Sequence, residues 1–281
     1  MKSALLGCLV GGAIGDAVGG VVERGRLSLS DDTQLSLATC EALDGPGRPQ
    51  PARVAERFVQ WFTQRRLVGL GSSTAKALMD LEAGAHWASA GARGERAAGN
   101  GAAMRAAPLG FVLDPSDDLD RQSLRDLARI THHHDEAYVG ALAVVLAVRH
   151  VLDEPRPRSS WLAALAEALP DSVTRDRLRV LTARPHDLPE AAALGSSGWT
   201  ADTVPLALLG ADAMLRDSFE PTLHRLVELS EDADTIPAIA GQVAGCALGL
   251  DALPDSLQES LPDRDEVLAI GRALAARLAP S

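Results

Sequence analysis

The sequence predicts an all-α fold, and three observations carry that prediction. Hydrophobic residues make up 46% of the 281 positions but aromatics only 3%, and the helix formers alanine and leucine supply most of the apolar content. Runs of Val, Ile, Thr and aromatic residues with the two-residue alternation of half-buried strands are missing. Apolar residues recur instead at three- and four-residue spacing. The apolar share suffices for a core, and the interruptions are short, so a compact single domain over residues 1–281 is expected.

The elements follow from that periodicity. Gly7, Gly11, Gly15 and Gly19 recur every four residues in the first apolar segment, which on a helix makes a smooth face for close approach of a second helix. A lone glycine in a helix interior costs about 1 kcal/mol against alanine, so four of them require a packing or functional reason. A dinucleotide-binding loop is excluded, because no strand precedes the glycines and their spacing is wrong. Further helical patterns cover 33–43, 52–66, 73–83, 102–112, 123–130, 135–152, 159–168, 175–183, 202–216, 221–229, 235–250 and 263–278. Pro/Gly clusters at 45–51, 155–157 and 184–189 read as surface loops between helices. No constant-period repeat occurs, and only the Ala/Gly/Arg stretch at 88–98 is compositionally biased.

A net charge of −11 argues against a non-specific nucleic-acid binder and favours a small-molecule partner. Cys8, Cys40 and Cys246 are odd in number and sit in apolar helical patterns, so they read as buried cytosolic thiols. The apolar stretch before Cys8 is too short for a signal h-region, and Asp16 and Glu23 interrupt a spanning segment. The expectation is a cytoplasmic protein without a membrane anchor, monomeric by default for one self-sufficient core.

Two acidic clusters carry the strongest chemical signal: Ser30-Asp31-Asp32-Thr33 and, almost two hundred residues later, Glu231-Asp232-Ala233-Asp234-Thr235. Each crowds hard oxygen donors onto one turn, as a small hard cation such as Mg²⁺ requires, and two clusters suit two ions. Taken singly, each also reads as a helix N-cap with an acidic first turn. Gly99-Asn100-Gly101, opening a helical pattern, offers either a backbone cradle for a pyrophosphate or an ordinary tight turn. Gly69-Leu70-Gly71-Ser72-Ser73-Thr74 carries the same ambiguity, with Ser73 or Thr74 as cap. In Thr131-His132-His133-His134-Asp135-Glu136 three consecutive histidines cannot share one ion, so either His132 alone faces a site or the segment is a solvated helix start capped by Thr131 or Asp135. No serine or cysteine has a nucleophile's context, which leaves metal- and water-based chemistry. Asp232-Ala233-Asp234-Thr235 also matches the DxDxT signature of haloacid dehalogenase-type phosphatases, but the segment before it has helical spacing where that fold needs a buried strand.

Taken in order, these motifs resemble those of the ADP-ribosylglycohydrolase family, which includes the dinitrogenase reductase-activating glycohydrolases. The resemblance runs along nearly the whole chain. It is carried by Gly15-Asp16-Ala17-Val18-Gly19 with Glu23, by Ser30 to Gln34, by Gly69 to Leu78, by Gly99 to Gly110, by Thr131-His132, by Asp202 to Pro205, and by Asp232 to Gly241. It implies a compact all-α fold with two Mg²⁺ at the base of an ADP-ribose cleft. By matching positions, Ser30, Asp31 and Asp32 would serve one ion, Asp232 and Thr235 the other, and Asp234 would bridge them. Glu23 would activate water or protonate the leaving group; the backbone of Ala98, Gly99, Asn100 and Gly101 would cradle the diphosphate, with Asn100 and His132 lining the cleft. Trp199 is a weaker candidate for stacking on adenine.

The chain departs from the family in two places. Only six residues separate Glu23 from Ser30, where many relatives carry a longer loop over the substrate. The shortening either opens the cleft to a bulky target or pulls Glu23 out of position. Ser230-Glu231 also replaces a common Gly-Gly pair, adding negative charge beside the metals. The resemblance implies Mg²⁺-dependent hydrolysis of the bond between ADP-ribose and a modified macromolecule, arginine-linked protein by default, releasing ADP-ribose; Mn²⁺ would satisfy the same oxygen ligands. Nucleic acid enters only as an ADP-ribosylated substrate. The alternative is an ADP-ribose-binding or immunity-type protein with weak or no turnover.

Overall fold

In the computed structural model, which describes residues 1–45, 47–155, 160–184 and 187–279, the glycine-spaced N-terminal segment is one helix, α1 (Lys2–Arg24). There follow α2 (Asp31–Ala42), α3 (Pro51–Thr63), α4 (Ser72–Glu82) and the single turn α5 (Trp87–Ala90). A two-residue strand β1 (Ala92–Arg93), the helix α6 (Asp118–Arg129) and a second strand β2 (His132–His133) lead into α7 (Asp135–Asp153). The remaining helices are α8 (Trp161–Ala168), α9 (Val173–Ala183), α10 (Leu188–Ala192), α11 (Thr200–Arg216), α12 (Phe219–Leu229), α13 (Thr235–Leu248), α14 (Asp255–Ser260) and α15 (Arg264–Arg277). The all-α expectation holds, with the parallel pair β1–β2 as the one sheet among the described residues.

The most extensive pairing is α1 on α13, and the glycines set its geometry. Gly7 faces the Gly245 carbonyl, Gly11 that of Gly241, Gly15 that of Pro237 and Gly19 that of Ala233, while Gly241 and Gly245 meet the carbonyls of Gly11 and Gly7 in return. A Cβ at any of these positions would fall inside backbone contact distance, so the seam accepts no side chain. By length and apolarity α1 could cross a bilayer, but here most of it is buried against α13, α15 and α2. Cys8, Cys40 and Cys246 are free and buried as expected, and burial pushes the last two thiols up to about 12.

Several local expectations need correction. The pattern at 102–112 is not an α-helix but two 3-10 turns, Asn100–Ala102 and Ala107–Phe111, because Pro108 lacks the N–H that an α-helical ladder needs and Gly99 and Gly101 favour turns. Helix α6 starts at Asp118 rather than 123, since the Asp117 carboxylate accepts from the N–H groups of Leu119 and Asp120. Neither Thr131 nor Asp135 caps α7; His134 does, its Nδ1 accepting from the Glu136 N–H at 3.0 Å. Nor does Ser73 or Thr74 cap α4, whose N-cap is Gly71. The short helices α5, α10 and α14 escaped the periodicity argument because each is under two turns long. The expected helix start at residue 159 and parts of the three Pro/Gly loops lie outside the described residues.

Replacing Gly11 by valine should lower unfolding stability by about 3 kcal/mol, since overpacking against backbone has no side-chain escape. Urea unfolding followed by circular dichroism checks this; a change below about 0.5 kcal/mol, typical of an unconstrained surface site, would contradict the seam.

Candidate active site

The site begins with Asp16, a carboxylate set in the middle of the apolar helix α1 and fully buried. A buried charge of this kind must be paired. Its Oδ2 accepts from the Ser30 N–H at 2.8 Å and from Thr33 Oγ1 at 2.7 Å, and Ser30 Oγ lies 2.8 Å from Oδ1. Asp16 therefore ties the first turn of α2 to α1. Sequence alone gives Asp16 no site role; its one signal is a lone carboxylate within an apolar helix. Ser30 also caps α2, accepting from the Asp32 N–H at 3.3 Å, so the capping turn is the turn that crowds the carboxylates.

The second cluster lies between α12 and α13, directly above. Glu231 and Asp232 donate their N–H groups to the Ser196 carbonyl at 3.1 and 3.0 Å, which braces the turn. Thr235 Oγ1 then reaches Asp32 Oδ2 at 3.3 Å. Donor oxygens of Asp16, Asp32 and Asp234 all lie within 4.8 Å of one another, and so do those of Glu23, Asp232 and Asp234. Two segments two hundred residues apart thus form one acidic centre. Glu23, at the exposed edge, accepts from the Ala233 N–H at 3.0 Å. Glu231 is exposed and outside the cleft lining.

This crowding is electrostatically costly. Burial, then the neighbouring Asp234 charge, pushes Asp31 up to about 8 and Asp232 up to about 7. The same causes raise Asp32 well above the ordinary carboxylate range. Asp32 Oδ1 is buried with no hydrogen-bond partner. An orphaned carboxylate oxygen amid several carboxylates and the Thr235 hydroxyl is a donor set that fits a hard divalent cation.

Above the acidic floor opens a cleft of about 370 Å³. One wall is the N-terminus of α4, with Gly71, Ser72, Ser73 and Thr74; the other is Gly99, Asn100, Gly101 and His132, with Arg96 and Gly198 also on the lining. Gln34 Oε1 accepts from the Val68 N–H at 2.7 Å and Asp31 donates its N–H to the Val68 carbonyl at 2.8 Å, so α2 holds the approach to α4. Gly69, next in the chain at φ 86°, adopts a conformation few other residues tolerate. Asn100 Nδ2 donates to Asp232 Oδ2 at 2.6 Å and to Thr203 Oγ1 at 2.9 Å, joining the glycine turn to the acidic centre.

Not every expected contact is free for a ligand. The Asn100 N–H is committed to the Gly198 carbonyl, and the Ala98 carbonyl accepts from the Thr200 N–H. Ala98 and Trp199 lie outside the cleft lining, as does Ser30. Arg177 sits 5.1 Å from the Trp199 ring centre. Sequence offered Thr74 only as a cap candidate and gave Arg96 and Arg105 no role, because their places depend on tertiary contacts.

Of the three histidines only His132 enters the cleft, positioned by the pairing of Ala92 with His132. The buried Arg105 donates to the Gly101 carbonyl and, at 2.8 Å, to Thr131 Oγ1, which lies 2.8 Å from His132 Nδ1. With Thr131 Oγ1 accepting from Arg105, its own proton goes to Nδ1, and His132 presents Nε2–H to the cleft. Burial, then the Arg105 charge, lowers its pKa to about 3, so the ring is neutral at physiological pH. A Cβ on Gly101 would lie 2.7 Å from the His132 ring, so glycine leaves the imidazole its room.

The family model for ADP-ribosylglycohydrolase matches residues 1–281. The chain belongs to this family. An ADP-ribosylglycohydrolase-related protein complex of solved structure aligns over 99% of each chain with a TM-score of 0.71 and 27% identity. An uncharacterised protein of Archaeoglobus fulgidus is 31% identical over 94% of this chain and 93% of its own. The ADP-ribosyl-[dinitrogen reductase] glycohydrolase of Rhodospirillum rubrum is 27% identical (89% and 87%), and the ADP-ribosylarginine hydrolase Tri1 of Pseudomonas putida 26% identical (92% and 73%). Membership in the ADP-ribosylglycohydrolase family makes the chain an enzyme and sets aside the phosphatase reading of Asp232-Ala233-Asp234-Thr235.

The raised carboxylates fix the pH response. Between the ordinary value of 3.8 and the raised values of about 7 and 8, the folded metal-free protein holds more protons than the unfolded chain, so stability falls as pH rises through that window. The melting temperature of EDTA-treated protein should therefore drop from pH 5 to pH 8, and excess Mg²⁺ should reverse most of the drop at pH 8. A melting temperature that rises over this range would contradict the crowding.

Proposed function

We propose that this cleft hydrolyses the glycosidic bond between ADP-ribose and a modified macromolecule in a Mg²⁺-dependent reaction, releasing ADP-ribose, with arginine-linked protein as the default target. The observation that carries the reading is the unpartnered Asp32 Oδ1 at the junction of the two acidic clusters, beneath a cleft walled by a glycine turn and a helix N-terminus. The relatives named for ADP-ribosylarginine and ADP-ribosyl-dinitrogen reductase hydrolysis support the substrate class.

In this reading Ser30, Asp31 and Asp32 would serve one ion and Asp232 and Thr235 the other, with Asp234 available to both; Mn²⁺ would satisfy the same ligands. When bound, the ions supply Lewis-acid polarisation of the ribose hydroxyls. Glu23, at the mouth beside Asp232 and Asp234, takes a proton from the attacking water as oxygen bonds to the ribose anomeric carbon. The carbon–nitrogen bond breaks, the leaving guanidine carries off the electron pair, and the proton that Glu23 took from water passes to it. His132 donates Nε2–H to an oxygen of the ligand while staying neutral, and Arg96 at the rim offers positive charge to the diphosphate. Asn100 orients Asp232. The short loop favours a second reading, a binder with little turnover; Glu23 at the cleft mouth supports hydrolysis instead.

Release of ADP-ribose from an arginine-ADP-ribosylated protein should require Mg²⁺, stop with EDTA, and disappear in Asp234→Ala. Metal-independent release, or full activity of that variant, would overturn the proposal. The Glu23→Gln variant should bind ADP-ribose normally in calorimetry while turnover falls about 100-fold or more. Unchanged turnover would remove Glu23 from the chemistry.

A further inference from the structure

One cationic side chain already sits among the carboxylates. Arg24, in the last turn of α1, sends its Nη1 to Asp234 Oδ2 at 2.5 Å and its Nη2 to Asp16 Oδ1 at 3.0 Å. The guanidinium is then closed in by the short loop itself: Nε donates to Ser28 Oγ at 3.0 Å, and Nη2 to the Ser28 carbonyl at 2.7 Å and the Asp16 carbonyl at 3.3 Å. Gly20, one turn back, leaves the space, since a Cβ there would collide with the guanidinium. The side chain is only 16% exposed. Gly20, Ser28 and the two carboxylates thus form a fitted pocket for a guanidinium.

We propose that Arg24 is a resident counter-cation that holds Asp234 when no divalent ion does, and that it must release Asp234 before a second ion can bind. This rests on the reading of the cleft as a metal site. The oxygen that Arg24 engages belongs to the carboxylate common to both clusters of close donors, so guanidinium and ion compete for one ligand and repel each other by charge. Arg24 engages Asp16 and Asp234 but not Asp32, whose Oδ1 stays bare. An ion taken by Asp31 and the bare Asp32 Oδ1 needs no oxygen that Arg24 holds, whereas a second ion drawing on Asp234 Oδ2 loads only as Arg24 lets go. The neighbours Gly25, Arg26 and Leu27 are exposed, which gives the freed side chain a path to solvent.

Mn²⁺ binding by the full chain, counted from the electron paramagnetic resonance of free Mn²⁺, tests this without reference to activity. Arg24→Gln should bind the second Mn²⁺ at least about tenfold more tightly than wild type, a modest share of the Coulomb interaction at contact distance. Arg26→Gln, which removes the same charge from an exposed neighbour, should bind as wild type does. Asp16 keeps its contacts from Ser30 and Thr33, so Arg24→Gln should fold; if it does not, Arg24→Lys decides, because one ammonium cannot span both carboxylates and should also bind the second ion more tightly. Wild-type binding with no gain in the Arg24 variants, or an equal gain in Arg26→Gln, overturns this inference alone. Absence of Mn²⁺ binding in wild type and variants alike overturns it together with the metal reading of the cleft.

Discussion

Backbone contact between α1 and α13 is the constraint on which the rest depends. Glycines at four-residue spacing let carbonyl oxygens stand where side chains would otherwise hold the helices 8–10 Å apart. The last contact, Gly19 against Ala233, fixes the turn that carries Asp232 and Asp234, while Asp16, less than one turn earlier, grips the start of α2. One helix thus sets the distance between two acidic clusters that sequence separates by two hundred residues. Side-chain-free packing suits the task, because no rotamer change can relax it.

The scaffold concentrates negative charge and offsets only part of it. Asp16 is satisfied by hydroxyls and backbone N–H groups, Asp234 by Arg24, and Asp232 by Asn100, whereas Asp32 keeps one bare oxygen. The remaining deficit would drive cation binding, since each carboxylate held near its neighbours without water gains most from a positive charge placed among them. The opposite wall is built for fixed hydrogen bonding. A buried arginine sets a threonine hydroxyl, and the hydroxyl sets the tautomer of a neutral histidine.

Features written in local chemistry were legible in sequence. Alanine and leucine content announced helices, the glycine spacing announced a close helix pair, and the density of oxygen donors at Ser30–Thr33 and Asp232–Thr235 announced clusters whose carboxylates could hold a metal ion. What escaped depended on tertiary contact or on competing local signals. The stretch at 102–112 has helical composition, yet Pro108 and the paired backbone around Gly99 divert it into 3-10 turns. His134 caps α7 because β2 orients the backbone before it, and Arg24 is an unremarkable surface-type residue until the short loop folds it onto Asp234. Trp199 was a candidate for stacking on adenine by resemblance, but its backbone pairs with Gly99 and its ring lies outside the lined cleft.

Anomalous diffraction from crystals grown with Mn²⁺ bears most directly on the meeting of the two clusters as a cation centre. The structure predicts a peak bonded to both Asp32 Oδ1 and Asp234, with occupancy lost in Asp32→Asn. Peaks confined to surface carboxylates, with none between α2 and the start of α13, would contradict it.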